Sequence, residues 1–183
     1  DNMFRTLSIF FIFLLLNVSS VSSSNFNYGS GYAAKSVLAS QSLINAMDKV
    51  DNRIYAVGEH GIILYSDDFG DSWTQAESVP YTSTLTDISC SSKKSCWVTG
   101  HDATILHSND HGVTWIKQYE DPGWDAPLLS IHMFDDKVGI AIGAFALSLR
   151  TVDGGQSWGY LFLDDDEFQP HLNFAYADAQ IWR

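Results

Sequence analysis

One eight-residue pattern occurs three times in this chain, and it constrains the fold more than any other feature of the sequence. The pattern is Ser or Thr, any residue, Asp, any residue, Gly, any residue, Ser or Thr, and Trp; it occupies residues 66–73, 108–115 and 151–158. The copies follow one another at intervals of 42 and 43 residues. Self-similarity at a period of about 40 residues is typical of a β-propeller or another repeat array, in which each repeat forms one structural unit.

The constant positions of the octamer have the chemistry of a tight turn. An Asp side chain accepts hydrogen bonds from nearby backbone N–H groups, and Gly adopts a positive φ without steric cost. The second hydroxyl residue closes the turn, and the Trp buries a large ring between neighbouring sheets. A catalytic carboxylate would not be needed in three copies, so we interpret these residues as structural: Ser66, Asp68, Gly70, Trp73, Ser108, Asp110, Gly112, Trp115, Thr151, Asp153, Gly155 and Trp158.

Apolar segments precede the three octamers at matching distances. Residues 62–65, 104–107 and 147–150 come directly before them, and an earlier apolar run ends each time in a glycine. Each unit therefore predicts four antiparallel strands, which we call A to D, with a B–C turn after the glycine and the octamer between C and D. We predict an all-β chain, a β-propeller of four-stranded blades at about residues 43–76, 85–118 and 128–162.

The repeated unit resembles a known family of propellers. The octamer is similar to the Asp-box, also called the BNR repeat, and Val57-Gly58 followed by residues 61–66 (Gly-Ile-Ile-Leu-Tyr-Ser) and the box resembles the photosystem II stability and assembly factor family. The resemblance covers about residues 43–183. It implies a protein-binding factor that assists the assembly or stability of a membrane complex. Asp-boxes also occur in sialidases, so the resemblance implies one alternative, a propeller glycoside hydrolase or carbohydrate-binding protein.

The beginning of the chain has the pattern of a secretory signal peptide. Taking Met3 as the start, Arg5 supplies a positive charge, and residues 9–16 form an apolar run that is too short to span a bilayer comfortably. An uncleaved anchor is the alternative. We predict a signal peptide at residues 3–23, a linker at 24–42, and an exported protein, periplasmic or secreted, or in the thylakoid lumen if the source is photosynthetic.

A fourth repeat begins near the other end of the chain. Leu172 and Ala175 match Leu128 and Ile131 in register, and Arg183 falls within the predicted strand B. Propellers contain at least four blades. About three and a half blades predict a fragment of a longer protein with open sheet faces at both ends. We expect this chain to be marginally stable or to self-associate.

Charge restricts the partners that the chain can take. The sequence has 22 acidic against 10 basic residues, a formal net charge of −12, which disfavours nucleic acid and anionic membranes. We therefore expect no nucleic-acid partner, and membrane contact only through a partner protein. The densest acidic run, residues 164–167, predicts either a solvated loop or a site for a cation or a basic partner.

Two cysteines flank a predicted hairpin turn. Cys90 would end strand A and Cys96 would begin strand B of the second blade. Opposite positions in a hairpin are close enough to bridge, and export permits oxidation, so we predict a disulfide. No zinc-ligand spacing occurs in the sequence, and we predict no metal site and no cofactor.

The B–C turns and the loops between strand D and the next strand A should share one face of the propeller, opposite the Asp-boxes. Loops on a rigid scaffold carry function disproportionately. Pro80 and Tyr81 are expected to add exposed apolar surface there. The candidate binding residues on this face are Glu59, His60, His101, Asp102, Tyr119, Trp124, Phe145 and His171.

Arginine usage argues against an enzyme of the sialidase type. Such an enzyme needs an Arg cluster to capture a carboxylate by bidentate hydrogen bonds. Outside the predicted signal peptide the chain has only Arg53, Arg150 and Arg183, and Arg150 adjoins an Asp-box. We predict no catalytic residue, and a protein that binds rather than catalyses.

Overall fold

A computed structural model describes residues 31–124 and 126–161. Three four-stranded antiparallel sheets make up this part of the chain, and in each sheet the strands lie side by side in chain order. The first sheet contains β1 (Ile44–Val50), β2 (Arg53–Gly58), β3 (Ile63–Ser66) and β4 (Thr74–Gln75). The second contains β5 (Leu85–Cys90), β6 (Cys96–Gly100), β7 (Ile105–Ser108) and β8 (Ile116–Tyr119), and the third β9 (Leu128–Met133), β10 (Gly139–Gly143), β11 (Ser148–Thr151) and β12 (Gly159–Tyr160).

The prediction of an all-β partial propeller with four-stranded blades is confirmed. The only helical turns in the described ranges are three short 3-10 turns, Ala39–Gln41, Glu59–Gly61 and Ala144–Ala146. Within those ranges no helix has the length and apolar character needed to cross a membrane. The predicted signal peptide, the acidic run at residues 164–167, His171 and the fourth repeat from residue 172 lie outside the described residues.

Each Asp-box is organised by one carboxylate. In the first box, Asp68 Oδ1 accepts the Ser66 hydroxyl at 2.7 Å and the Ser72 N–H at 2.9 Å, and Asp68 Oδ2 accepts the Ser72 hydroxyl at 2.5 Å. The Ser66 hydroxyl oxygen in turn accepts the Gly70 N–H at 2.8 Å. The same four bonds recur in the other two boxes at 2.6 to 2.9 Å. The repeated sequence therefore encodes a repeated hydrogen-bond network.

The core consists of two apolar layers between neighbouring sheets. Tyr55, Val57 and Ile63 of the first sheet pack against Leu85 and Val98 of the second. On its other side, the second sheet contributes residues that pack against the third, and this layer contains Trp97, Ala103, Ile105, Leu128, Ile131, Met133, Ala141, Leu147 and Leu149. Alternate residues of β6 thus face opposite neighbours, as the period of two in a strand requires.

Polar groups on the first strand of one sheet bind backbone N–H groups of the next. Asp48 accepts the Cys90 N–H at 2.7 Å, and Asp87 accepts the Ile131 N–H at 2.9 Å. Ser89 Oγ accepts the Met133 N–H at 3.0 Å. These bonds hold β1, β5 and β9 next to one another and set the spacing between blades.

The segment before the first sheet makes specific contacts with that sheet. Gln75 donates its side-chain N–H to the Ala34 carbonyl at 2.9 Å and accepts the Ser36 N–H at 3.0 Å. Ala39 is buried in a small cluster with Ala56 and Leu64 on the outer side of the first sheet. The expectation that nothing covers this side of the first blade is therefore wrong, because Ala39 packs against it.

A disulfide joins Cys90 and Cys96 across the hairpin between β5 and β6, where the two residues are direct partners in register. The hairpin tip contacts three blades. Lys93 supplies a carbonyl that accepts the Tyr55 hydroxyl at 3.1 Å, and the Ser91 hydroxyl donates to Asp136 in the third blade. The disulfide therefore closes a loop that itself bridges neighbouring sheets.

Acid should weaken the Asp-boxes in a defined pH window. Hydrogen bonds from Ser72 and Ser66 lower the pKa of Asp68 to about 2, and those from Ser157 and Thr151 lower the pKa of Asp153 to about 2. Because the folded pKa lies below the unfolded value of 3.8, the stability from these carboxylates is fully present above that value and is lost as the pH falls toward 2.

We expect Asp68→Asn to lower the melting temperature at pH 7 and to flatten its fall between pH 4 and pH 2. Thermal melts across this range test the prediction. Asp71→Asn is the matched control, because in the described structure the Asp71 carboxylate accepts no hydrogen bond. An unaltered pH profile in Asp68→Asn would contradict the role of the carboxylate.

Two box glycines should respond differently to the same substitution. Gly70 and Gly112 both have positive φ, 97° and 77°, so alanine is strained at either site by about 1–2 kcal/mol. At Gly112 the new Cβ would also lie 2.6 Å from Cε1 of the buried Tyr55, whereas at Gly70 the nearest atom of Trp73 is 3.6 Å away.

We expect Gly112→Ala to destabilise the chain by about 1–3 kcal/mol more than Gly70→Ala, since overpacking adds to backbone strain. Chemical denaturation of both variants measures the difference. Equal losses of unfolding free energy would show that the first and second blades do not pack tightly at Tyr55.

Candidate functional site

The three B–C turns share one backbone conformation but carry different side chains at the equivalent position. His60, Asp102 and Phe145 occupy the equivalent position in the three sheets, with φ of 55°, 54° and 56°. A non-glycine residue in this left-handed region is uncommon, and for a bulky side chain it is a genuine outlier. All three side chains are exposed, and Phe145 is 74% exposed. The turn geometry therefore repeats while the chemistry at its tip varies.

Backbone hydrogen bonds tie these turns to the loops that lead into the first strands. Within a blade, the Glu59 N–H donates to the Leu43 carbonyl, and the His101 N–H donates to the Thr84 carbonyl. Between blades, the Ala103 N–H donates to the Ala126 carbonyl at 3.0 Å, and the Gly61 N–H makes the equivalent bond to the Ser83 carbonyl at 2.8 Å. The turns and loops form one continuous surface, the loop face, of residues 59–61, 79–84, 101–103, 119–124, 126–127 and 144–146. Glu77 and Ser78, which were expected on this face, instead make backbone hydrogen bonds to Val113 and Trp115 of the second Asp-box.

The structure brings five of the predicted binding residues to exposed or partly exposed positions in the B–C turns: Glu59, His60, His101, Asp102 and Phe145. Tyr119 ends β8, is partly buried, and packs against the second apolar layer together with Trp124. Trp124 is partly buried as well, so only part of its side chain is accessible to a ligand. His171 lies outside the described residues.

The prediction that Tyr81 adds exposed apolar surface is wrong. Its side chain is 5% exposed, and its hydroxyl donates to the His101 carbonyl at 2.9 Å. A Cβ on Gly100 would lie 2.8 Å from that hydroxyl, so the glycine leaves the space that the ring fills. Burial, with the charge of Asp102, raises the pKa of Tyr81 well above its usual range. Tyr81 therefore positions the second B–C turn from beneath.

The loop face is acidic. Its residues include the acids Glu59, Asp102, Glu120 and Asp121, and none of the residues in the ranges that define it is Lys or Arg. Glu59 lies 3.8 Å from His60 Nδ1, a contact that becomes an ion pair when the imidazole is protonated. Among the residues that the structure describes, no group of three or more His, Cys, Asp or Glu side chains could hold a metal ion.

Arg53 lies on the opposite face, and sequence reasoning did not foresee its role. Its guanidinium makes two hydrogen bonds to Asp67, at 2.8 and 2.5 Å, and a third to the His111 carbonyl at 2.8 Å. The guanidinium also lies 4.3 Å from the centre of the Tyr65 ring. The hydrogen bond to Asp67 raises the pKa of Arg53 and lowers that of Asp67. Arg53 thus links the first and second boxes and is engaged within the fold.

Four-stranded blades, each with an Asp-box between its third and fourth strands, define the chain as an Asp-box β-propeller. Residues 75–170 match the family model described as photosynthesis system II assembly factor YCF48. The match spans more than half of the 183 residues, and the chain belongs to this family, as the repeat motif predicted. Comparison with curated protein sequences yields no match.

Solved structures of low sequence identity share the fold. YCF48 from Cyanidioschyzon merolae is 21% identical with a TM-score of 0.59, and the alignment covers 70% of this chain and 40% of that one. YCF48 bound to a D1 peptide is 22% identical with a TM-score of 0.57, covering 65% and 40%. A GH74 xyloglucanase from Xanthomonas campestris is 13% identical with a TM-score of 0.53, covering 67% and 24%. The aligned part of the chain thus spans about 40% of the length of the two YCF48 structures.

Proposed function

We propose that this chain is part of an exported, non-catalytic propeller that binds a protein subunit of a membrane complex and assists its assembly, in the manner that the family description indicates for photosystem II. The observation that carries the proposal is the family match over residues 75–170. A protein partner is further supported by the structure of a YCF48 relative bound to a D1 peptide.

The loop face is the surface that we assign to partner binding. Its turns are held by backbone hydrogen bonds and by the buried Tyr81, so a ligand would meet a preorganised surface. Phe145 projects from this surface with most of its ring in solvent, and exposed aromatic side chains are frequent anchors of protein interfaces. The lack of Lys and Arg on the face favours a partner segment that is basic or uncharged.

Binding without catalysis is supported by the side chains that an enzyme would use, because several of them are already hydrogen-bonded within the fold. The Asp carboxylates of the three boxes accept hydrogen bonds from their own turns, and Arg53 is occupied by Asp67. The GH74 neighbour shares only the fold at its level of identity. Glycoside hydrolysis is therefore an alternative outcome of the test below.

The binding surface can be tested with two phenylalanines in similar settings. Phe145 and Phe69 are both mostly exposed, 74% and 67%, and both have positive φ, but Phe69 belongs to an Asp-box on the opposite face. We expect Phe145→Ala to weaken binding of labelled peptides that tile the D1 sequence by about tenfold, as loss of an interface anchor does. Phe69→Ala should leave the affinity unchanged.

Fluorescence anisotropy of the full chain with each peptide provides the measurement. Equal effects of the two variants would contradict the assignment of the loop face. Absence of peptide binding together with turnover of xyloglucan or sialosides would contradict the proposed function and favour the hydrolase.

Export is supported by two independent features. Residues 9–16 are an apolar run of the length found in signal peptides. Cys90 and Cys96 form a disulfide, a bond that persists mainly in oxidising compartments. We propose a periplasmic or secreted protein, or a lumenal one in a photosynthetic source.

We expect the exported protein to lack its first residues, with cleavage near Ser20 or Ser23, and to have no free thiol. Intact mass and thiol labelling after fractionation measure both. Leu14→Arg should retain the full-length chain inside the cell, because a charge interrupts the apolar run, whereas Asn17→Ser should be exported normally. Uncleaved wild-type chain with two free thiols in the cytoplasm would contradict export.

A further inference from the structure

Two neighbouring residues of one loop hold the B–C turns of the second and third blades together on the loop face. The Ala126 carbonyl accepts the N–H of Ala103, and the Pro127 carbonyl accepts the N–H of Ala144, both at 3.0 Å. The tips of these two turns are Asp102 and Phe145. We call residues 102–103, 124, 126–127 and 144–145 the second junction. Its backbone hydrogen bonds fix the position of one tip relative to the other.

The first and second blades are joined in the same way, which provides an internal comparison. The carbonyls of Ser83 and Thr84 accept the N–H groups of Gly61 and His101, at 2.8 and 3.2 Å. These two carbonyls lie one repeat, 43 residues, before those of the second junction. The two junctions therefore share a backbone arrangement, and a difference between them comes from their side chains.

The aromatic residue of each loop is used differently. Tyr81 and Trp124 occupy equivalent positions, 43 residues apart. Tyr81 is buried, and its hydroxyl is bonded to the His101 carbonyl beneath the turn. Trp124 packs against the second apolar layer but is only partly buried, and the mostly exposed Phe145 lies at the tip of the turn that the same loop holds. The second junction thus presents apolar aromatic surface that the first junction lacks.

Asp102 differs from the other acids of the loop face, because its carboxylate is not used by the fold. Glu59 and Asp121 accept backbone N–H groups, and Glu120 pairs with Lys117 at 2.7 Å. Within the described ranges, the Asp102 carboxylate accepts no hydrogen bond and belongs to no ion pair, and its side chain is exposed. A carboxylate that faces no base on its own surface complements a cationic group on a partner.

We propose that the second junction binds a segment of the partner protein in which a basic side chain lies close to an apolar one. The basic side chain pairs with Asp102, and the apolar side chain packs against the accessible parts of Trp124 and Phe145. Aromatic rings supply most of the contact area in such a site, and the charge selects and orients the segment. This inference rests on the proposed function, since it names the chemistry that the loop face recognises in a protein partner.

The test uses the full chain and three labelled peptides of one Gly-Ser background. They carry Lys and Phe, Gln and Phe, or Lys and Ser at the same two positions, and NMR titration measures their affinities. We expect Asp102→Asn to weaken binding of the Lys and Phe peptide by about two- to fivefold at low salt and to leave the Gln and Phe peptide unchanged. Asn adopts the positive φ of this tip as Asp does, so the turn is kept.

Phe145→Ala provides the second arm of the same design. We expect it to weaken binding of the Lys and Phe peptide and to leave the Lys and Ser peptide unchanged, because the lost contact exists only with the apolar side chain. In each arm, the peptide whose affinity is unchanged shows that the variant is folded. Equal effects on the two peptides of an arm would overturn the proposal.

Two control variants separate the second junction from the rest of the loop face. Glu120→Gln removes one negative charge, as Asp102→Asn does, but from a carboxylate that is paired with Lys117. His60→Ala truncates the tip of the first B–C turn, which is not part of the second junction. Neither should change the affinity for the Lys and Phe peptide. An effect of Glu120→Gln equal to that of Asp102→Asn would show that only the overall charge matters and would overturn the proposal.

Failure of this inference can be told apart from failure of the proposed function. If the chain binds peptides of the D1 set but does not prefer the Lys and Phe peptide, the inference is wrong and the proposed function stands. If the chain binds no peptide of either set, both are wrong. Binding of xyloglucan oligosaccharides in place of peptides would assign the aromatic surface to a carbohydrate and would also overturn both.

Discussion

The hydrogen bonds to the Asp-box carboxylate are the interaction on which the rest of the structure depends. A turn between strands C and D must reverse the chain within a few residues, and its backbone N–H groups need acceptors. Asp68, Asp110 and Asp153 supply those acceptors, so the hydrogen bonds that close each turn come from within the turn itself. The final Trp of the box packs beside its sheet: Trp115 is buried in the apolar layer between the first and second sheets, and its indole N–H donates to the Gly112 carbonyl at 3.0 Å.

Hydrogen bonds from the strands of one blade to the Asp-box of the next link the blades into an array. Arg53 reaches the His111 carbonyl of the second box, and Gln118 reaches the Gly154 carbonyl of the third at 3.1 Å. At the inner strands, Asp48 and Asp87 bind the N–H groups of the following blade. Stability in such an array is the sum of blade and interface terms, and here each interface has an apolar layer with polar contacts at its inner and outer edges.

The features that follow from the repeated motif could be predicted from the sequence. Five recurring positions and the glycines before strand C predicted the strands, their antiparallel order and the family, because hydrogen bonding within a blade is local. Contacts between distant residues were less accessible. Tyr81 is far from its partner His101 in sequence, and nothing in the motif indicates that Gly100 leaves space for its ring. The cover provided by Ala39 was missed for a similar reason, since a segment rich in small and polar residues has no periodicity to reveal its packing.

The tips of the loop face differ from the boxes in how much their side chains contribute to the fold. In a box, the side chains at the constant positions make the hydrogen bonds and apolar contacts that hold the turn, so their chemistry must be kept. At the tips of the B–C turns only the backbone conformation is shared, and His60, Asp102 and Phe145 adopt it with unrelated side chains. Because backbone hydrogen bonds to the neighbouring loops support the conformation, the tip residue is free to vary while its position is maintained. The chemistry at the tips can therefore differ from blade to blade, at a cost in local strain that the surrounding structure offsets.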